Sequence, residues 1–227
     1  MKHDPFTIAI DGPAGAGKST LAKAAAGALG MIYLDTGAMY RACGLLCLEK
    51  GISTFDEAEV SKAIRNAEID IRFEKGSQRI FLNGEDVSRK IRTPEVSRAA
   101  SDVSALPPVR LQMVALQREI AAEKDIVVDG RDIGTYVLPD AECKIFLTAS
   151  AEVRAKRRYD EMIEKGEEAD YNAVLSEINY RDKQDAERPL APLRKAEDAV
   201  LLETDRMNAQ EVLEEVLRIA AEKRGRV

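Results

Sequence analysis

Several residue types are scarce in this chain, and each scarcity removes a class of function. Its 227 residues include a single histidine, His3, so any chemistry must proceed without a histidine base. Tryptophan is absent and aromatics make up 5%, which argues against a base-stacking platform for nucleic acid. Three cysteines, Cys43, Cys47 and Cys143, contain no C-x-x-C pair and are odd in number, which argues against a disulfide framework. Cys43 and Cys47 stand four apart on an expected helix, and small core hydrophobes are the commoner reading there than a metal pair. Basic charge is not in surplus: the formal net charge is −6, without the basic footprint of a nucleic-acid-binding surface. No apolar run approaches the about 18 residues of a membrane span, and no cleavable signal is visible. A soluble cytoplasmic protein is expected, with neither nucleic acid nor membrane as partner. Repeats and low-complexity linkers are also missing.

What remains is ordinary globular material, 45% apolar and 33% charged, enough for a core. The pattern predicts strands at 6–11, 31–34, 125–129, 143–147 and 199–205. The runs DIVVD and CKIFL are nearly continuous apolar stretches, as buried parallel strands require. Helices are predicted from the phosphate loop to about Leu29, after Asp35, and over about 57–67, 107–123, 151–165, 171–187 and 208–223. Between 52 and 106 the alternation breaks: EIDIRF (68–73) and RIFLNGEDV (79–87) read as a small antiparallel sheet with a tight turn at Asn83-Gly84. Thr93-Pro94 reads as an N-cap and first helical residue. The predicted fold is α/β: a five-stranded parallel sheet with helices on both faces, an inserted small antiparallel subdomain and a helical lid. Residues 1–227 are expected to form one domain. Residues 36–106 would be an acceptor-binding region carrying the insert, and 151–170 the lid. Ligands of such sheets bind beyond the carboxyl ends of the strands.

Residues 12–19, Gly12-Pro13-Ala14-Gly15-Ala16-Gly17-Lys18-Ser19, match G-x-x-x-x-G-K-[ST] in full, between a strand and a helix. Glycines let backbone N–H groups turn inward around an anion, and the helix N-terminus adds a favourable dipole. Lys18 would reach the β- and γ-phosphates of ATP, and Ser19 would sit on Mg²⁺. Gly15 and Thr20 give the tighter G-x-x-G-x-G-K-x-T form of small-molecule kinases. No N-K-x-D motif accompanies it, which counts against a GTPase.

Three polar clusters face this loop in the predicted topology. Asp35-Thr36-Gly37, with Tyr40 and Arg41, follows a strand; Asp35 or Thr36 also suits a helix cap. DGRDIGT (129–135) follows the most apolar strand, and the planar fork of Arg131 suits a phosphate. Arg181, Asp185 and Arg188, spaced by four and three, share one helix face; the alternative is a surface ion pair. Arg154, Arg157 and Arg158 form a basic run, read either as a solvated helix face or as lid arginines stabilising the transferring phosphoryl group.

GPAGAGKST, LDTGAMYR (34–41), VVDGRDIGTYVLPDA (127–141), KIFLTAS (144–150) and ERPLAPL (187–193) together resemble the bacterial cytidylate kinase family over nearly the whole chain, insert included. The resemblance implies transfer of the γ-phosphoryl group of ATP to CMP or dCMP with Mg²⁺. It implies that residues Gly12 to Thr20 and Arg157 bind ATP. Thr36, Arg110, Asp132 and Arg188 would surround the cytosine, and Tyr40 and Gly130 would also belong to the substrate-binding set. Ser101, Arg181 and Asp185 would contact the sugar, and Arg41, Arg131 and Arg181 would hold the acceptor phosphate. Lys18, Arg131, Arg157 and Arg181 would serve catalysis. Some relatives carry Gly where Ser19 stands, which leaves the Mg²⁺ ligand open between Ser19 and Thr20. Two other readings remain: a kinase of the same architecture with another acceptor, and a regulatory module that binds ATP without transfer. A monomer is expected, because the helices leave no exposed apolar seam.

Overall fold

The computed structural model describes residues 5–74 and 77–225; His3 lies outside them. Strands β1 (Thr7–Asp11), β2 (Ile32–Asp35), β6 (Ile126–Gly130), β7 (Cys143–Thr148) and β8 (Val200–Glu203) form a parallel sheet in the order β2-β6-β1-β7-β8. Every residue of β1 and β6 is buried, which explains their unbroken apolar runs. The predicted strands and parallel sheet are all found, with boundaries shifted by one or two residues.

Helices cover both faces. On one side α1 (Lys18–Leu29) and α8 (Ala209–Arg224) pack over Ile8, Ile10, Val127 and Ile145. On the other, α2 (Thr36–Glu49) and α5 (Pro107–Ala121) bury Met39, Leu46, Val109 and Met113 against Leu34, Ile126 and Val128. Gly30 and Gly51 adopt left-handed conformations where α1 and α2 end, as helix-stopping glycines do.

Between α2 and α5 lie α3 (Glu57–Arg65), β3 (Ile69–Glu74), β4 (Ser77–Leu82), β5 (Glu85–Asp86), a 3₁₀ turn at Lys90–Arg92 and α4 (Pro94–Ser104). The three strands pair antiparallel, and Asn83 (φ 50°) and Gly84 (φ 83°) turn β4 into β5. The apparent single strand over 79–87 is therefore split. Thr93 caps α4, its side chain accepting from the Val96 N–H, with Pro94 at the first position. The core of this insert is continuous with that of the main sheet: Val60, Ile64, Ile80, Leu82 and Ile91 join the same apolar cluster. Helices α6 (Ala151–Glu164) and α7 (Tyr171–Glu187) pack together on the far side of the phosphate loop.

Candidate active site

One cavity of about 460 Å³ opens at the carboxyl ends of the parallel strands, where β1, β2 and β6 deliver their loops. Its lining joins the phosphate loop to the polar clusters read from the sequence, including Thr36, Tyr40, Arg41, Ser101, Arg110 and Asp132. Gly130, Arg131, Arg157, Arg181, Asp185 and Arg188 stand in the same lining, whereas Gly12 and Pro13 at the start of the phosphate loop do not.

The phosphate loop is shaped by glycine. Gly12 has φ 150°, and a Cβ there would lie 1.9 Å from the Leu147 carbonyl oxygen, so β7 can approach only a glycine. Gly15 and Gly17 are left-handed. Lys18 is buried and its Nζ donates to the Pro13 carbonyl at 2.7 Å, folded back over its own loop. Burial, then the nearby Arg131 guanidinium, pull its pKa down to about 7.

Asp129, at the end of β6, is buried behind the loop. Its carboxylate accepts from Ser19 Oγ at 2.9 Å and from Tyr33 Oη at 2.8 Å. Burial, then the charge of Asp35, hold the Asp129 carboxyl above its usual range. Hard oxygen donors beside a phosphate loop suit Mg²⁺, which takes one or two protein ligands and leaves the rest to phosphates and water. Among the described residues no group of three His, Cys, Asp or Glu side chains is placed to hold a metal ion. Asp129 has no assigned role in the sequence pattern, and its place at the carboxyl end of the most apolar strand is the signal that marks it.

Elsewhere in the cavity lining, Asp132 is clasped by two buried arginines: Arg110 Nη2 donates to Oδ2, and Arg188 Nη2 to Oδ1 at 2.9 Å. Arg188 also lies 3.8 Å from Asp185, and Asp185 pairs with Arg131 at 2.6 Å. The carboxyl of Asp185 sits below its usual range: burial pushes it up, but Arg131 and then Arg188 outweigh that. A π-helical turn, Ile133–Val137, aims this cluster, and β1 pins the turn. Asp11 accepts from the Ile133 and Gly134 N–H groups, both at 2.7 Å, and burial raises its pKa to about 6 despite those bonds. No local pattern over 133–137 announces that turn.

Arg41 pairs with Asp35 at 2.8 Å, and Arg92 of the insert shares the same oxygen at 3.1 Å. Asp35 also caps α2, accepting from the Ala38 N–H, so cap and ion pair coexist. The Gln78 side chain brackets the Asp35 main chain, accepting from its N–H and donating to its carbonyl. Thr36 Oγ1 donates to the Asp129 carbonyl at 2.7 Å. Among the described residues Arg181 has no carboxylate partner within ion-pair distance, unlike Arg41 and Arg131. Burial, then the neighbouring Arg131 charge, lower its pKa. Tyr40 Oη, Arg41 Nε and Arg110 Nε are buried without a hydrogen-bond partner, although their residues line the cavity. Such atoms are rarely left unsatisfied unless a ligand or water serves them.

The basic run on α6 divides three ways. Arg154 is buried and points away from the cavity, bonded to the Ala149 and Ala14 carbonyls, so neither a solvated face nor a lid contact describes it. Arg157 lines the cavity while donating to Thr204, and Arg158 pairs with Glu161 at the rim. Arg188 falls just past the end of α7 rather than on it, but still faces Asp185.

A phosphate loop on a five-stranded parallel sheet, joined in one cavity to an arginine-rich second half, defines a P-loop kinase. Solved structures agree on the fold: a gluconokinase from Sinorhizobium meliloti superposes with TM-score 0.51 at 15% identity, covering 97% of this chain and 94% of that one. An uncharacterized protein from Eubacterium ventriosum gives 0.53, also at 15% identity, over 96% and 98%. The sequence profile described as cytidylate kinase matches residues 8–222, and the chain belongs to the cytidylate kinase family. It is 53% identical over 214 residues to a cytidylate kinase of Caldicellulosiruptor saccharolyticus, spanning 94% of this chain and 95% of the relative. It is 52% identical over 219 residues to one of Thermosipho melanesiensis, spanning 96% and 98%.

Proposed function

We propose that this protein transfers the γ-phosphoryl group of ATP to CMP or dCMP, giving ADP and CDP or dCDP, in pyrimidine nucleotide metabolism. One arrangement carries the choice of acceptor: Asp132 fixed between Arg110 and Arg188 at the end of the cavity away from the phosphate loop. Cytosine offers an exocyclic amino donor, which a carboxylate can accept, and O2 and N3 acceptors, which arginines can serve. Uracil presents an oxygen in place of that amino group, and facing it with a carboxylate costs about 1–3 kcal/mol. Arg110 Nε and Tyr40 Oη supply further unspent polar atoms; burial raises the Tyr40 pKa to about 12, so the hydroxyl stays protonated. Ser101, Arg181 and Asp185 suit the sugar, and Arg41, Arg131 and Arg181 the acceptor phosphate.

The reaction breaks the bond between the β–γ bridging oxygen and the γ-phosphorus and forms one from an acceptor phosphate oxygen to that phosphorus. That oxygen is already ionised at neutral pH, so no strong base is needed, and alignment and charge neutralisation do the work. Lys18 swings from the Pro13 carbonyl onto the β- and γ-phosphates. Arg131 and Arg181 bring the two anionic substrates together against their mutual repulsion, and Arg157 closes on the transferring group. Ser19 and Asp129 would hold Mg²⁺, which when bound neutralises charge on the β- and γ-phosphates. A cytoplasmic monomer acting on free nucleotides goes with this reading; no helix of the described residues is long and apolar enough to cross a membrane.

The test is ADP formation against CMP, dCMP, UMP and AMP. CMP and dCMP should lead by kcat/KM. Preference for UMP or AMP refutes the acceptor, and tight ATP binding with no transfer to any of the four identifies a regulatory module instead.

A further inference from the structure

Behind the phosphate loop, away from the cavity, an ion pair brackets the main chain of one residue, Ala14. Arg154 of α6 and Asp182 of α7 pair at 2.7 Å, with side chains 6% and 26% exposed. Asp182 Oδ1 accepts from the Ala14 N–H at 3.3 Å, and Arg154 Nη1 donates to the Ala14 carbonyl at 2.8 Å. The ring is closed: carboxylate, guanidinium and the two polar ends of a single loop residue. Arg154 Nε is anchored in turn on the Ala149 carbonyl at 2.8 Å. The neighbouring Gly15 rests on the same two helices, its Cβ position 3.4 Å from both Arg154 Cβ and Ile178 Cδ1.

From this geometry we infer that Arg154 and Asp182 are positioning residues for ATP: Asp182 orients the loop's first turn, and Arg154 cancels the charge that Asp182 would otherwise present to the triphosphate. The inference rests on ATP occupying the phosphate loop, but not on which acceptor the enzyme takes. An N–H must turn toward Asp182 for the loop to keep its shape, and a carboxylate is a strong acceptor for it. That same carboxylate is an anion beside the site of a polyanion, and in a partly buried setting the repulsion is weakly screened. Only the pair, oriented as found, gives the loop its shape without the charge.

This division of labour predicts an order of effects that a plain structural brace does not. Removing Arg154 alone leaves Asp182 uncompensated, so ATP binding suffers most. Removing the Asp182 charge as well takes the repulsion away, and part of the affinity returns. ATP binding to the full chain is measured by titration calorimetry without acceptor for the parent, R154A, D182N and R154A/D182N, with CMP binding and Tm recorded in parallel. R154A should raise the Kd for ATP about tenfold or more, the loss expected for a charge-assisted bond. The double variant should bind ATP at least about threefold more tightly than R154A, a coupling expected of residues in direct contact. R154K should retain more affinity than R154A, and CMP affinity should hold throughout. A double variant no tighter than R154A overturns the inference, as do variants that lose Tm while binding ATP like the parent. Should R154A fail to fold, R154Q and R154Q/D182N make the same comparison. Failure of the CMP assignment would show in the acceptor panel and leave these ATP measurements untouched.

Discussion

Lys18 starts from a bond to its own loop, buried and with its pKa lowered to about 7. ATP brings negative charge to it, which favours the ammonium form and raises that pKa. Between the free and bound values, binding must take up a proton, so ATP affinity should fall as pH rises above about 7 and proton uptake should approach one. Calorimetry at pH 8 in two buffers of different ionisation enthalpy measures that uptake; none at all would place Lys18 as fully charged beforehand. Lys18→Ala should lower kcat by at least about a hundredfold with the fold intact, as when a main charge stabiliser is lost. Near-normal turnover in steady-state assays would end the claim that this loop drives transfer. Asp132→Asn should lower the ratio of kcat/KM for CMP over UMP, because its amide can donate to uracil. It should also cost about 3–5 kcal/mol of stability, since two buried arginines lose their shared counter-charge. An unchanged ratio would mean that Asp132 does not read the base, whatever happens to Tm.

At the scale of elements, α2 and α4 meet at Gly44. A Cβ there would stand 2.7 Å from the Ala100 backbone nitrogen and 3.0 Å from the Ala99 carbonyl carbon. Gly44→Ala should therefore force the helices apart at about 1–3 kcal/mol, read as a lower Tm. Because α2 carries Thr36, Tyr40 and Arg41 and α4 carries Ser101, KM for CMP should rise while the ATP Kd holds. The strands, the insert's hairpin and the Thr93-Pro94 start of α4 were legible because each is written in local chemistry: apolar runs, Asn-Gly, a cap followed by proline. The π-helical turn at Ile133–Val137 was not, because its geometry depends on Asp11, far away in sequence, accepting two of its N–H groups. Arg154 misled for the same reason. Three arginines within five residues look like a charged face, and only the Ala14 carbonyl and Asp182 explain why the first is buried. The candidate site was largely visible as residue types; which arginine neutralises which carboxylate was not.

For the whole molecule, the two substrates must meet between parts that approach from opposite sides. The insert reaches the site through Gln78 and Arg92 on Asp35, while α6 and α7 reach it through Arg157 and Arg181. Arg154 fastens the first turn of α6 to the phosphate loop, so the lid proposed for 151–170 would hinge beyond it. Closure of both parts should lower the radius of gyration when CMP and a non-hydrolysable ATP analogue bind together, more than with either alone. Identical scattering in all states would mean a rigid, pre-closed enzyme. One feature runs through the arginine-rich half of the cavity: the alternating series Arg110, Asp132, Arg188, Asp185, Arg131. In such a series no member belongs to one partner only. Replacing any interior link takes a counter-charge from the member on each side of it, so an intermediate genotype with one change should be worse than either endpoint. A lineage acquiring a different acceptor would have to change neighbouring links together or pass through a poorly folding ancestor. If these residues read the base as proposed, its preference would be inherited as a block, with drift at the separate positions held back by the neighbours of each.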